Sequence, residues 1–344
     1  MKQLGILAFL VLLFEASAVA NPYLLKPGEP PTKLRVATSA VTGGFVHFYS
    51  GLDYGIFEKY GLKCEHVYIR GQSPALAALA NDQVQFNYGA ADGSLPGLAA
   101  GVDAKFVASP LVKLPYVMVA RKEIRRPEDL KGKKIGMDEY RLTVGLWARG
   151  ILQEHYGVRP EECEWFTSAP ERAGYRPPAG IKVTIVDEPT EALLLRGEID
   201  ALIPPNIVPS FRAKDPRIQR LFKDARSTVN DYFRKTKIFP ITHTLVVRQA
   251  LFDEQPWIVS SLLNAFTEAE KLCRQSYDYA KRLAFPSAVL MLEEEEELFG
   301  ENPWGHGLTS ENQVVLEKFV RYANEQGYIP NRPALSELFA PVGN

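Results

Sequence analysis

The sequence predicts an α/β protein with two lobes, and three observations support this fold class. Short apolar segments alternate with helical segments, which is the pattern of α/β sheets whose strands run parallel. The chain has 344 residues, whereas a single hydrophobic core seldom grows beyond about 250–300 residues. Residues 121–137 combine the end of one strand, a helical turn, a tight turn and the start of another apolar strand. We interpret this stretch as the passage from one lobe to the next.

The N-terminus has the three parts of a secretory signal peptide. Lys2 precedes an apolar stretch over residues 4–14, and Ala18-Val-Ala20 supplies the small residues of a cleavage site. Glu15 interrupts the apolar stretch before it reaches the roughly 20 residues that a membrane-spanning helix needs. We therefore expect an exported, periplasmic protein from which residues 1–20 are removed. No cysteine stands at the cleavage point to carry a lipid anchor.

Four prolines within residues 21–33 predict an extended leader, because they cannot sustain a helix or a central strand. The first lobe then follows as three units of strand, loop and helix. Its strands are predicted over Leu34–Thr38, Cys64–Ile69 and Val84–Tyr88, and its helices over 45–54, 75–81 and 95–100. In the second unit, Ser73 is expected to be the N-cap and Pro74 the first helical residue.

The second lobe repeats this pattern. Its strands are predicted over 116–120, Lys134–Met137, Ile181–Val186 and Ile199–Ile203, and its helices over 143–156 and 190–195. Gly157 provides the expected end of the first of these helices. Residues 238–247 are predicted to cross back to the first lobe. The predicted boundaries are 34–115 with 245–344 for lobe one, and 116–244 for lobe two.

Two further helices are predicted in the C-terminal part of the chain. Residues 257–273 predict an amphipathic helix whose apolar face carries Ile258, Leu262, Leu263 and Phe266. Residues 289–299 predict a second helix. We interpret the acidic run 293–297 within it as a solvated face, because such runs usually mark exposed surface.

Composition argues against several classes of function. A net charge of −1 with 24% charged residues indicates an ordinary soluble surface. Basic residues near 125–134 are interleaved with Glu128 and Asp129, so no nucleic-acid partner is expected. The three cysteines are isolated; one disulfide could form in an oxidising compartment, but the sequence does not select the pair. The histidines lack the spacing of metal ligands, so neither a metal nor a cofactor is predicted.

Two segments of the first lobe, together with residues 121–137, carry a family resemblance. They are Gly55-Ile-Phe-Glu-Lys-Tyr-Gly-Leu62 and Leu79-Ala-Asn-Asp-Gln-Val-Gln-Phe86. They resemble the two-lobed solute-binding proteins of ABC importers, in the group that captures sulfonates, nitrate or thiamine precursors. The resemblance covers most of the chain after residue 33. It implies the type II periplasmic-binding-protein fold, with two parallel-sheet α/β lobes joined by a two-strand hinge. It also implies a monomer that captures a small organic anion, such as an aromatic carboxylate, for a membrane permease.

The C-terminal half is similar to a second family, the 4,5-dihydroxyphthalate decarboxylases. The matching segments are Met137-Asp-Glu-Tyr-Arg-Leu-Thr143, Trp147-Ala-Arg-Gly-Ile-Leu152, Gly197-Glu-Ile-Asp-Ala-Leu-Ile203, Ile238-Phe-Pro-Ile-Thr-His-Thr244, Tyr322-Ala-Asn-Glu-Gln-Gly327 and Glu337-Leu-Phe-Ala-Pro341. This family shares the two-lobed fold, so the two resemblances agree on architecture and differ on function. The enzymes carry Trp-Pro-Tyr-Gly where this chain has Trp304-Gly-His-Gly307. The leading hypothesis is an exported solute-binding protein, and the alternative is a cofactor-independent decarboxylase of a hydroxylated aromatic acid.

A ligand in this fold lies between the lobes, at the carboxyl ends of the strands, where helix N-termini offer N–H groups to an anion. The predicted ligand-binding residues therefore lie in the corresponding loops and at the hinge: Ser39, Thr42, Gly43, Gly71, Gln72, Ser73, Ala91, Asp92, Tyr140, Arg141, Thr143, Asn206, His243 and His306.

Three of these residues have a second interpretation. Arg141 is predicted to grip a carboxylate or sulfonate through two parallel hydrogen bonds, or else to pair with Glu139 or Asp138 at the surface. His243 is either a cleft-lining donor or a core histidine bonded to neighbouring hydroxyls or to the backbone. His306 either reaches the cleft from its loop or belongs to a simple turn.

Catalytic signals are few. The sequence has no nucleophile motif, phosphate loop or dinucleotide fingerprint. In a decarboxylase, the hydroxylated ring of the substrate would accept the electrons and an acid would protonate it. His243 and His306 are the candidate acids, because histidine titrates near neutral pH.

Overall fold

The computed structural model describes residues 23–41, 43–108, 117–171, 175–277, 285–300 and 305–341. The predicted signal peptide, the candidate ligand residue Thr42 and Trp304 lie outside these residues, as does Tyr116 at the start of a predicted crossing strand. No helix in the described ranges is long and apolar enough to cross a membrane.

Eleven strands form in the described residues. Numbered in chain order, they are β1 (Thr32–Thr38), β2 (Leu62–Tyr68), β3 (Phe86–Ala90), β4 (Ala104–Ala108), β5 (Val119–Arg121), β6 (Lys134–Met137), β7 (Glu164–Thr167), β8 (Lys182–Ile185), β9 (Ala201–Leu202), β10 (Ile218–Arg220) and β11 (His243–Arg248).

The same residues form thirteen α-helices. They are α1 (Val46–Asp53), α2 (Ile56–Lys59), α3 (Gln72–Ala80), α4 (Ala91–Ala99), α5 (Thr143–Tyr156), α6 (Thr190–Arg196), α7 (Pro209–Arg212), α8 (Ala225–Thr236), α9 (Gln249–Glu254), α10 (Pro256–Tyr277), α11 (Ala288–Phe299), α12 (Ser310–Glu325) and α13 (Leu335–Leu338).

The strands assemble into two sheets, each the centre of one lobe. The first sheet has the order β2-β1-β3-β11-β4, and the second has the order β10-β5-β9-β6-β7-β8. Each sheet is parallel except for one strand: β11 runs antiparallel to β3 and β4, and β5 runs antiparallel to β9 and β10. β5 is the first strand after the chain passes from the first sheet to the second, and β11 is the first strand after it returns. The predicted two-lobed α/β architecture is confirmed, with this one antiparallel strand per lobe added to it.

Most predicted elements form, with ends shifted by a few residues. β6 and α5 have the predicted bounds, and Gly157 ends α5 with a φ of +64°. That left-handed conformation suits glycine, which has no Cβ to clash with the preceding turn. The acidic run lies in α11, where Glu294 pairs with Arg226 and Glu296 with Arg274.

Two predicted helix starts are wrong. α3 begins at Gln72 with Gly71 as its N-cap, and Ser73 makes no capping hydrogen bond. Ser73 and Pro74 are therefore the second and third residues of the first turn. α4 begins at Ala91, four residues before the predicted start. Asp92 consequently lies in a helical first turn, where a carboxylate is stabilised by the positive end of the helix dipole.

The C-terminal segment contacts both lobes. In the second lobe, the indole of Trp147 on α5 packs against Phe319 and Tyr322 of α12, with ring centroids 6.2 and 5.7 Å apart. The chain then returns to the first lobe, where Phe339 packs on Phe106 of β4 at 5.2 Å. The backbone N–H of Ala340 donates to the Phe106 carbonyl over 2.8 Å. Residues 310–341 thus bridge the two lobes.

Candidate functional site

The carboxyl ends of the parallel strands place four helix starts at the edges that the lobes turn toward each other. In the first lobe, α1, α3 and α4 begin after β1, β2 and β3; in the second lobe, α5 begins after β6. The hydroxyl of Thr143, the first residue of α5, donates to the carboxylate of Asp92 on α4. Both side chains are buried. The two predicted residues therefore join the two lobes.

Gln72 ties the first turn of α3 to the loop that follows β3. Its side-chain amide donates to the carbonyl of Ala90 over 2.9 Å and to the hydroxyl of Ser94 over 3.3 Å. Its carbonyl accepts from Asn87 at 3.4 Å. Gly89 makes this arrangement fit, since a Cβ at that position would lie 2.2 Å from the Gln72 amide nitrogen. The polar atoms of Gln72 thus form hydrogen bonds within the first lobe, and these bonds hold the start of α3 against the end of β3.

The other predicted residues of the first lobe lie around this edge. Ser39 is half-buried, whereas Gly71 and Ser73 are exposed at the start of α3. Gly43 opens a short 3-10 helix ahead of α1. Ala91 is buried, and its N–H donates to the carbonyl of Thr242 over 3.0 Å.

A polar cluster that the sequence did not suggest supports the loop after β1. The buried Thr38 hydroxyl lies 2.7 Å from Nε2 of His66, and the Tyr49 hydroxyl donates to the carbonyl of Ala40 over 3.0 Å. Burial lowers the pKa of His66. These contacts hold residues 38–40 in place beside the cleft.

His243 is the first residue of β11 and lies in an aromatic environment. Its ring is 4.4 Å from Phe45 and 6.4 Å from Tyr88, measured between centroids. Nδ1 is buried and makes no hydrogen bond to any described residue, and the same holds for the Thr244 hydroxyl. Burial lowers the pKa of His243 to about 4. The imidazole is therefore neutral at pH 7, and Thr244 does not satisfy it.

His306 points into the interior of the first lobe. Its ring lies 4.7 Å from that of His47 on α1 and 5.7 Å from Phe266 on α10. Nε2 of His306 is 3.6 Å from the Glu270 carboxylate, and Nε2 of His47 is 3.9 Å from the same oxygen. Burial raises the pKa of Glu270 to about 7, although the charge of Arg274 opposes this shift.

Tyr140 packs inside the second lobe. Its ring lies 3.8 Å below the guanidinium of Arg149 and 5.3 Å from Trp165. Its backbone N–H and that of Arg141 donate to the carboxylate of Glu171, at 2.8 and 3.2 Å. Glu171 thereby occupies two N–H groups near the start of α5 that an anion could otherwise use.

The Arg141 side chain does not form the surface ion pair that was considered from the sequence. In the described part of the chain neither Asp138 nor Glu139 pairs with it. Its guanidinium lies over the rings of Tyr175 and Tyr328, at 5.3 and 5.6 Å from their centroids. The half-buried cation is thus held by aromatic rings.

An open cavity of about 450 Å³ lies at the carboxyl end of β6, lined by Asp138, Asp187, Glu188, Glu191 and neighbouring residues. Its four carboxylates do not suit an anion. Burial, together with the charge of Glu139, raises the pKa of Asp138. Asn206 is exposed in the loop after β9, and it is not among the lining residues.

Comparisons with known proteins bear on both family and fold. A family described as NMT1/THI5 like matches residues 43–168. The 4,5-dihydroxyphthalate decarboxylase of Comamonas testosteroni is 33% identical over 238 residues, which are 65% of this chain and 70% of that protein.

Two solved structures have the same architecture. One is the putative periplasmic sulfonate-binding protein SsuA of Methylobacillus flagellatus, with a TM-score of 0.64, 15% identity, and coverage of 91% of this chain and 92% of that one. The other is the aliphatic sulphonate-binding protein SsuA of Escherichia coli, with a TM-score of 0.58, 16% identity, and coverage of 91% and 93%. At these identities the likeness establishes the periplasmic-binding-protein fold, as predicted.

Proposed function

Because the chain belongs to the 4,5-dihydroxyphthalate decarboxylase family, we propose that it binds a small aromatic carboxylate between its two lobes. The observation that carries this proposal is the contact of Thr143 with Asp92, which brings the starts of α4 and α5 together across the cleft. A ligand at this position would meet helix N-termini from both lobes. Their N–H groups and dipoles favour a negatively charged group.

Arg141 is the proposed anchor for the carboxylate. Its guanidinium rests on Tyr175 and Tyr328 and pairs with neither neighbouring acid. A planar guanidinium presents two parallel donors to a carboxylate. Because the aromatic rings already restrain the arginine side chain, it loses little conformational freedom when a ligand binds. The ligand ring would then lie toward the first lobe, where the half-buried ring of His243 packs on the buried Phe45.

The proposed role is that of an exported receptor that delivers its ligand to the permease of an ABC importer. Two observations support this role: the signal-peptide pattern of residues 1–20 and the periplasmic-binding-protein fold. The ligand would bind to an open form and be enclosed by rotation of the lobes, as in hinge-bending receptors generally.

Thermal unfolding with a ligand panel tests this role. The panel contains benzoates, phthalates, hydroxylated phthalates, alkanesulfonates and pyrimidines. A ligand present at 100 times its dissociation constant stabilises the folded chain by about 2.7 kcal/mol. We expect an aromatic carboxylate to raise the melting temperature, and we expect Arg141→Ala to remove most of that rise while Arg125→Ala, at an exposed position, retains it. Absence of a response to every aromatic carboxylate would overturn the proposal.

A second candidate function is decarboxylation of a hydroxylated aromatic acid, and the family membership favours it. In that reaction the bond between the ring and the carboxylate breaks, carbon dioxide leaves, the ring holds the electron pair, and an acid protonates the ring carbon. The low pKa of His243 makes its imidazole a poor proton donor at pH 7. This places the enzyme second.

Incubation of the protein with dihydroxyphthalates, with carbon dioxide release as the readout, separates the two functions. Release that disappears in His243→Ala and persists in His155→Ala would reverse the ranking. Binding without release would support the receptor.

A further inference from the structure

Three distant segments bring two imidazoles and a carboxylate together inside the first lobe. His47 lies in the first turn of α1, Glu270 lies on α10, and His306 precedes α12. Their side chains are 0%, 6% and 5% exposed. One possible ligand atom from each residue lies within 4.8 Å of the other two. The group is therefore compact and almost fully buried, and its residues come from three separate parts of the chain.

Hydrogen bonds among the described residues do not account for the position of His306 in this group. In the part of the chain that the structure describes, neither ring nitrogen of His306 has a hydrogen-bond partner. The distance of 3.6 Å from its Nε2 to the Glu270 carboxylate is beyond ordinary hydrogen-bond length. An unsatisfied buried polar group costs about 1–3 kcal/mol, so such groups usually have a partner such as an ion.

The donor set suits a transition metal. Zinc commonly takes three protein ligands, including two histidines and one glutamate, at about 2.0–2.2 Å. Tetrahedral ligands at that range are separated by about 3.3 Å. The distances of 3.6 and 3.9 Å from the two imidazoles to Glu270 are close to this value. The imidazole nitrogens lie within 4.8 Å of each other, so they would approach by up to about 1.5 Å to close on an ion. Magnesium and calcium prefer all-oxygen sites, and the two imidazoles disfavour them.

We propose that His47, Glu270 and His306 form a binding site for one divalent transition-metal ion, with zinc as the best-matched ion. Phe266 packs beside both imidazoles, at 6.2 Å from His47 and 5.7 Å from His306, and orients them. Three protein ligands leave a fourth position for water or for an anionic group. The site lies within one lobe, so it does not depend on the ligand proposed for the cleft.

Metal analysis of the tag-free protein tests the site, because a histidine tag would bind zinc itself. Bound metal is first removed with a chelator, and the protein is then dialysed against zinc. We expect one equivalent of zinc per chain, measured by elemental mass spectrometry. Glu270→Gln and His306→Gln should each weaken zinc binding by about 100-fold or more. His155→Gln, which removes a histidine outside the group, should leave the affinity unchanged.

Cobalt provides a readout that does not depend on the variants. Four-coordinate Co²⁺ absorbs strongly in the visible range, so the wild-type protein should develop this band with one equivalent and lose it on addition of zinc. Circular dichroism establishes that each variant is folded. The proposal is overturned if the wild-type protein shows neither stoichiometric zinc nor the cobalt band. It is also overturned if folded Glu270→Gln and His306→Gln bind zinc as tightly as wild type.

Discussion

Arg149 is a buried cation that lies among aromatic rings and amides. Nε donates to the Gln326 side chain and Nη2 to the Tyr328 hydroxyl, each at 2.8 Å. The guanidinium also lies 3.8 Å from the centre of the Tyr140 ring. Because these contacts use the planar fork of arginine, a lysine cannot reproduce them.

We expect Arg149→Lys to lower the free energy of unfolding by about 3 kcal/mol, the scale for a buried charge that loses its partners. Urea unfolding measures the change. Arg159→Lys, whose side chain is 58% exposed, is the matched control and should remain near wild type. Equal stability of the two variants would show that the fork contacts of Arg149 contribute nothing.

A second prediction concerns Gly89, over which the Gln72 side chain lies. A methyl group there would collide with the amide at 2.2 Å, so we expect Gly89→Ala to cost about 2 kcal/mol of stability through overpacking. The double variant Gly89→Ala/Gln72→Ala removes the collision. It should therefore be less destabilised than the sum of the two single changes. Additive effects in chemical unfolding would mean that Gln72 moves aside freely.

Single residues differ in how far the sequence could identify them. Asp92 and Thr143 were predicted as ligand-binding residues from their place after strands, which is a local feature, and the structure places their side chains in contact. His47 and Glu270 were not predicted, because their proximity depends on how α1 and α10 pack. His306 was predicted to reach the cleft from its loop, and the structure shows it turned toward these two residues.

Among the elements, the contact of α12 with α5 depends on a charged cluster around Glu154. Its carboxylate accepts hydrogen bonds from Lys318 at 2.7 Å, from Tyr322 at 2.7 Å and from Arg321. Burial alone would raise the pKa of Glu154, but these partners outweigh it and lower the pKa to about 2. The cluster stabilises the fold only while the carboxylate is ionised.

The pH dependence follows from the sign of that shift. A carboxylate whose pKa is lower in the folded state contributes stability above its ordinary pKa of 4.5 and loses that contribution as the pH falls toward 2. We expect Glu154→Gln to cost about 1 kcal/mol at pH 7, since the group is partly exposed, and progressively less below pH 4.5. Unfolding curves across this range provide the measurement, with Glu161→Gln as control. A cost that does not change with pH would exclude the ion pairs as its source.

The helices and strands that were not predicted from the sequence differ in the physical reason for the omission. α12 was missed although its signals are local: Thr309 caps it through Asn312, and Val315, Leu316 and Phe319 face the core. α8 has no buried residue and contains few apolar side chains, so core packing leaves little signal for it in the sequence. β10 has only three residues, and it exists because β5 provides a partner.

At the scale of the whole molecule, the contact of Thr143 with Asp92 is predicted to hold the lobes together. Thr143→Val keeps the shape of the side chain and removes the donor. We therefore expect the ligand-free population to shift toward an open form with a larger radius of gyration in small-angle scattering. Ser261→Ala removes a buried hydroxyl that makes no hydrogen bond with the described residues and should leave the scattering unchanged. An unaltered curve for Thr143→Val would show that this bond does not restrain the lobes.

The strand order also determines when each sheet can be completed during synthesis. β5 to β10 are contiguous in the chain, so the second sheet has all its strands once residue 220 has been made. The first sheet must wait for β11, which fills the space between β3 and β4. Until then β3 and β4 present open edges, which readily pair with other chains. A nascent chain is therefore most prone to aggregate between the emergence of β4 and that of β11, and a chaperone that covers those edges would act in this interval.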